Sequence, residues 1–329
     1  VRPTSMWLGL GCLLSLLLIV SCSTTLAELP PSVTIFYSNE AENELYKCCS
    51  TNQAGGLSRR ATVIASHDWE TSLVVDTGNF SAKRPGNTYD EFKLTYLLRG
   101  YELMGYSALN VGPLEFNRGE ALLRSLGQQT GNRLISANVV DASGKLVLAP
   151  YKVVEVEGLN VGIVGLITDQ SGAHLPGSHT PPDPLKTIEP VAALGELWEA
   201  LEKASDIQIL LSQLTDDENS AVIQAFPNLD VILGGPGWRQ NAQMEPWEEQ
   251  GVVIGKVGVR GKFQGQMTLS IERDKKKEIT IGRYSGEATF LGGSIPDNPA
   301  MESLLEEYAQ RVRSGEVLQD HYESHTDHQ

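Results

Sequence analysis

The feature that most constrains this chain is an alternation of short, almost wholly apolar runs with longer amphipathic ones. "SVTIFYS" (32–38), "SLVVDTGN" (72–79) and "YSALNVG" (106–112) are of the first kind. "GGLSRRATVIASHDW" and "DEFKLTYLLRGYELMG", which lie between them, carry helical spacing. A strand that is apolar along its length is buried on both faces, and such strands joined by helices pair in parallel. The expectation is an α/β fold with a largely parallel sheet.

The second half extends the pattern. "RLISANVVD", "PYKVVEVEG" and "LNVGIVGLIT" read as strands, the last two joined by a Glu-Gly hairpin turn. "IEPVAALGELWEALEKA" and "ENSAVIQAFP" read as helices, and "DIQILLSQL" and "LDVILGGPGW" as buried strands. "GVVIGKVG" and "GQMTLSIERDKKKEITIGRYSGEATFL" read as a run of antiparallel strands. A last helix begins where Asn298 can cap it and Pro299 suits its first position, with Met301, Leu304, Leu305, Tyr308 and Val312 as its apolar stripe.

The amino terminus reads as a targeting segment. Arg2 precedes "MWLGLGCLLSLLLIV", an apolar run too short to span a bilayer comfortably. "IVSC" then places small or β-branched residues before Cys22, the pattern of a bacterial lipoprotein processing site. The expectation is acylation of Cys22, with the bilayer as partner and the cell envelope, facing the periplasm, as location. An ordinary signal peptide cut after Ala27 is the alternative. Of the four cysteines, Cys48 and Cys49 then remain. Adjacent Cα atoms lie about 3.8 Å apart, short of the roughly 4.4–6.8 Å that a disulfide spans. The formal net charge of −15 would repel a polyanion, which argues against nucleic acid as a partner.

Seven segments in order carry a resemblance: "GGLSRRATVI", "VVDTGNF", "LMGYSALNVGPLEF", "LISANVVD", "PYKVVEVEGLNVGIVGLIT", "DIQILLSQL" and "NLDVILGGPGW". Together they resemble the metallophosphoesterase (calcineurin-like) domain of periplasmic 5'-nucleotidases and UDP-sugar hydrolases. The resemblance implies a four-layer α/β/β/α sandwich with mixed sheets. The implied division is a signal peptide (1–21), a tether (22–31), the metallophosphoesterase-like domain (32–295), and a C-terminal helix and polar tail (296–329). It also implies two metal ions at the strand ends, held by Asp, His and Asn, activating a hydroxide for in-line attack on a phosphate ester.

The positions that match those ligands hold other residues. Where the family has Asn-Asp-x-His, "NEAE" puts Glu40 and Glu42. Asn79 replaces a bridging aspartate. In "GPLEFN", Pro113 and Leu114 replace the metal-binding Asn and the catalytic His. Gln213 replaces a histidine, and in "GGPGW" Pro236 and Trp238 stand where two imidazoles belong. These remnants leave at most one weakly bound divalent cation and no other cofactor. The expected function is therefore non-catalytic binding, with an exported protein as partner and Trp238 and Trp247 as candidate contact residues. The alternative is an exported enzyme, using thiol redox chemistry at Cys48 and Cys49 or weak mononuclear phosphoester hydrolysis. Lys47, Arg59 and Arg60 stand near enough in sequence to activate a thiol.

Overall fold

The computed structural model describes residues 31–47, 53–67, 71–83, 88–169, 185–234, 245–273 and 279–315. Its strands are β1 (Ser32–Ser38), β2 (Ser72–Asp76), β3 (Ala108–Asn110), β4 (Leu134–Ile135), β5 (Val139–Val140), β6 (Tyr151–Val156) and β7 (Leu159–Ile167). They continue with β8 (Lys186–Thr187), β9 (Ile207–Gln213), β10 (Val231–Gly234), β11 (Trp247–Glu249), β12 (Val252–Gly255), β13 (Phe263–Arg273) and β14 (Ile279–Phe290). The helices are α1 (Leu57–Ala65), α2 (Thr88–Leu103), α3 (Pro113–Phe116), α4 (Glu120–Gln129), α5 (Pro190–Ala204), α6 (Asp216–Ala225) and α7 (Pro299–Ser314).

The strands form two six-stranded sheets, ordered β14-β13-β1-β2-β3-β4 and β11-β12-β10-β9-β7-β6, beside a small β5-β8 pair. In the first sheet β1 to β4 run parallel, while β13 lies antiparallel to β1 and β14 to β13. In the second, β7, β9, β10 and β12 run parallel between antiparallel edges β6 and β11. Both sheets are mixed, as expected. One local reading needs correction: "GVVIGKVG" does not continue into the antiparallel strands β13 and β14, which lie in the other sheet, and is antiparallel only to the short edge strand β11. Its strand β12 lies parallel to β10, with Val253 opposite Val231.

Strand periodicity explains the layering. Ile35, Tyr37, Leu73 and Val75 point to the inner face and meet Ile209, Leu211, Val231 and Leu233 of the second sheet. Phe36 and Val74, one residue out of phase, point outward to Leu57, Ile64, Leu97 and Met301 from α1, α2 and α7. Val164, Leu210 and Ile232 face α5 and α6 through Leu194, Leu201, Val222 and Ile223. Four layers result, α/β/β/α. Each such side chain contributes roughly 1.5–3 kcal/mol when removed from water.

The last helix belongs to the layer that covers the first sheet. Asn298 Oδ1 accepts from the N–H groups of Ala300 and Met301, both at 3.1 Å, and Pro299 occupies the first turn. Gly315 ends the helix at φ 76°, a left-handed position that glycine takes without strain. Met301, Leu304 and Leu305 are buried, and Arg99 grips the Glu307 carboxylate through two bonds of 2.6 and 2.7 Å.

Candidate functional site

The carboxyl ends of β1, β2, β3 and β9 converge at one rim of the sandwich. This is where α/β folds place reactive groups, because loops there are held by strands on every side. Asn39, Glu40 and Glu42 follow β1, Thr77 to Asn79 follow β2, Pro113 and Leu114 open α3 after β3, and Gln213 ends β9. Four non-glycine residues in these loops adopt positive φ: Glu40 (48°), Glu42 (52°), Asn43 (62°) and Asn79 (59°). Such backbone costs on the order of 1 kcal/mol per residue and persists only when neighbours enforce it.

Here backbone bonds enforce it. Glu40 N–H donates to Gly78 O (3.0 Å), Glu42 N–H to Asn79 O (3.1 Å) and Asn43 N–H to Phe80 O (2.6 Å), zipping the two loops together. The α3 turn is locked by Glu115. Its buried carboxylate accepts from the N–H groups of Asn79 (2.9 Å), Gly112 (2.8 Å) and Ser81 (2.7 Å). Burial raises its pKa above the ordinary value, and those backbone donors only partly offset the rise. The sequence reading passed over Glu115. Its signal was a carboxylate inside a short turn of otherwise apolar residues directly after a buried strand.

At the centre lies a chain of neutral amides. Asn79 Nδ2 donates to Gln213 Oε1 (3.0 Å), and Gln213 Nε2 donates to Asn39 Oδ1 (2.8 Å). Thr77 Oγ1 donates to the same Asn39 oxygen (2.9 Å), and Asn79 Oδ1 accepts from Leu114 N–H (2.9 Å). Asn39 and Gln213 are 2% and 1% exposed, so these groups have little access to water and satisfy one another.

Glu42 meets this chain through its backbone, its N–H donating to Asn79 O, while its carboxylate pairs with cations. Glu42 is held by Lys83 Nζ at 2.5 Å and lies 3.8 Å from Arg260 Nε. Glu40 is half-buried, and its carbonyl accepts from Arg260 N–H at 2.7 Å. Pro113 is half-buried, and the buried Leu114 offers only an apolar side chain. Trp247 is half-buried and packs against the core under α5 and α6. Cys22, Cys48, Cys49, Pro236 and Trp238 lie outside the described residues.

A second network beneath the loops was also missed. Asp76 Oδ2 accepts from Ser38 Oγ (2.6 Å) and Tyr101 OH (3.0 Å), and its Oδ1 accepts from Gly78 N–H (2.9 Å). Arg60 Nη1 donates to the hydroxyls of Tyr101 and Tyr106, both at 3.3 Å, and those two rings stack at 4.1 Å. Burial pushes the Asp76 carboxyl above its usual value, offset in part by Ser38, Gly78 and Arg60. Arg59 and Arg60 are both buried.

A pair of dications needs negatively charged oxygens and imidazoles free to ligate. Among the described residues no group of three or more His, Cys, Asp or Glu could hold a metal ion. The amide oxygens at the rim are neutral and already accept bonds, the Glu115 carboxylate is taken up by backbone N–H groups, and the Glu42 carboxylate pairs with cations. This donor set does not fit a dinuclear centre.

The solved structure of the calcineurin-like phosphoesterase YfkN from Bacillus subtilis matches with a TM-score of 0.66 at 18% identity, over 86% of this chain and 98% of that one. The fold is that of the calcineurin-like phosphoesterases. In sequence, the snake venom 5'-nucleotidase of Naja atra is 24% identical, over 83% of this chain and 56% of its own length. Protein UshA of Yersinia enterocolitica is 32% identical, over 66% of this chain and 47% of its own length. The chain is thus a distant relative of the 5'-nucleotidase and UshA proteins, as its motifs suggest, and spans about half the length of these curated relatives. No family model matches it.

Proposed function

We propose that this chain is an exported, lipid-anchored protein whose 5'-nucleotidase-like domain does not hydrolyse phosphate esters and acts by binding, with another exported protein as its partner. The observation that carries the reading is the closed chain of neutral amides, Asn39–Gln213–Asn79, at the converging strand ends. In-line attack assisted by two metals needs both ions at once, to generate the hydroxide and to neutralise the charge on the leaving side. The amide chain supplies neither the negative charge nor the free donors to seat them. The purified protein is expected to contain no stoichiometric metal by elemental analysis. With added Mn²⁺, Zn²⁺ or Mg²⁺ it should show no turnover of nucleotides or simple phosphate monoesters, and Leu114→His alone should stay inactive. Robust metal-dependent turnover, abolished by Glu40→Ala, would overturn the reading.

The anchoring half of the proposal rests on "IVSC" and makes its own prediction. Two acyl chains on Cys22 suffice for stable attachment, since each buried CH₂ contributes about 0.8 kcal/mol. Among the described residues no helix is long and apolar enough to cross a membrane. Cys22→Ala is expected to release the protein from the membrane fraction or to block its processing. If that variant is processed normally and stays fully membrane-bound, the lipoprotein assignment fails.

A further inference from the structure

β14 closes one edge of the first sheet, and its outer side pairs with no strand among the described residues. An open edge presents unpaired N–H and C=O groups, and natural edges are commonly blunted by lysine or proline. β14 runs for 12 residues, "ITIGRYSGEATF", and contains neither.

The direction of its free backbone groups follows from the ladder. Leu291 N–H donates to Lys262 O on the β13 side, and Ile271 N–H of β13 donates away to Pro31 O. Alternation along an antiparallel pair then turns Ser285 and Glu287 toward β13, and Tyr284, Gly286 and Ala288 toward the open edge. The strand is also self-complementary about one residue. Arg283 and Glu287 are both exposed, stand two positions either side of Ser285, and form no ion pair among the described residues.

We infer that β14 pairs antiparallel with β14 of a second copy of this chain, centred on Ser285, joining the two first sheets across a two-fold axis. In this register Arg283 lies across from Glu287 of the other copy, twice. Tyr284 lies across from Gly286, also twice, exchanging the backbone bonds of the open edge and placing an aromatic ring beside a glycine. Moving the centre to residue 283 or 287 sets Arg283 against itself or Glu287 against itself. Charge therefore selects one register as well as the partner. The inference does not depend on whether the strand-end site is active.

The test is sedimentation of the full chain in density-matched detergent, for the unmodified protein, Arg283→Glu, Glu287→Arg and the double variant. The unmodified protein should be dimeric. Each single variant should dimerise about tenfold or more weakly, because two favourable cross-strand pairs become two repulsive ones. The double variant exchanges the charges, restores both pairs and should recover the dimer. A monomeric unmodified protein, single variants that dimerise unchanged, or a double variant as weak as the singles would each overturn the inference.

Discussion

Replacing Glu115 with alanine should destabilise the protein by on the order of 3–5 kcal/mol, among the largest effects of any single substitution. The side chain is fully buried, and three backbone N–H groups donate to it: Asn79, Gly112 and Ser81. Truncation leaves those donors in a space that water does not readily enter, and each orphaned donor costs roughly 1–3 kcal/mol. Glu115→Gln keeps one accepting oxygen but turns an NH₂ toward a donor, so its loss should fall between the two. Urea unfolding followed by tryptophan fluorescence would measure both, with the midpoint shifting at constant slope. If Glu115→Ala costs under about 1 kcal/mol, the rim loops are braced by something other than this carboxylate.

The second large effect is expected at Arg60. Arg60→Met removes the cation that faces Asp76 through the hydroxyls of Tyr101 and Tyr106, and breaking one partner of a buried charged network costs about 3–5 kcal/mol. Arg60→Met with Asp76→Asn should recover part of the loss, since the uncompensated carboxylate disappears too. The coupling expected from such a cycle is about 1–3 kcal/mol, and strict additivity would mean that the two groups do not sense each other.

The pH dependence supplies a sign for this network. Burial raises the pKa of Asp76, and Arg60 is one of the groups limiting the rise. From about pH 4, the ordinary carboxylate value, up to the raised one, the folded state binds more protons than the unfolded state. This contribution to stability is therefore full below that window and falls as pH rises through it. Removing Arg60 carries the window further upward, so the deficit of Arg60→Met should be smallest below about pH 4 and widen above it. A deficit that is constant with pH would exclude electrostatic coupling to Asp76.

Periodicity and end signals made much of the architecture legible. β7, β9 and β10 are mostly apolar and almost wholly buried because both their faces are covered, and a local pattern records that directly. The Glu157-Gly158 turn and the Asn298-Pro299 cap are equally local, since the residues that make the turn or cap also accept its backbone geometry. β12 was misplaced for the opposite reason. A short apolar strand reads the same whether its neighbour runs parallel or antiparallel, and only the packing of the second sheet put β10 beside it.

The site divides in the same way. The chain alone determines that amides, a proline and a leucine stand at 79, 113, 114 and 213, because those identities and their places after apolar strands are written in it. The tertiary structure decided that Asn79 bonds Gln213 and that Gln213 bonds Asn39, across sequence separations of 134 and 174 residues. It also decided that Arg60, on a helix that reads as partly solvated, lies under the first sheet within reach of two tyrosines. A local pattern encodes which face of an element is apolar. It holds no record of which distant polar group will arrive to satisfy a buried donor, because that depends on how the sheets and helices close around it.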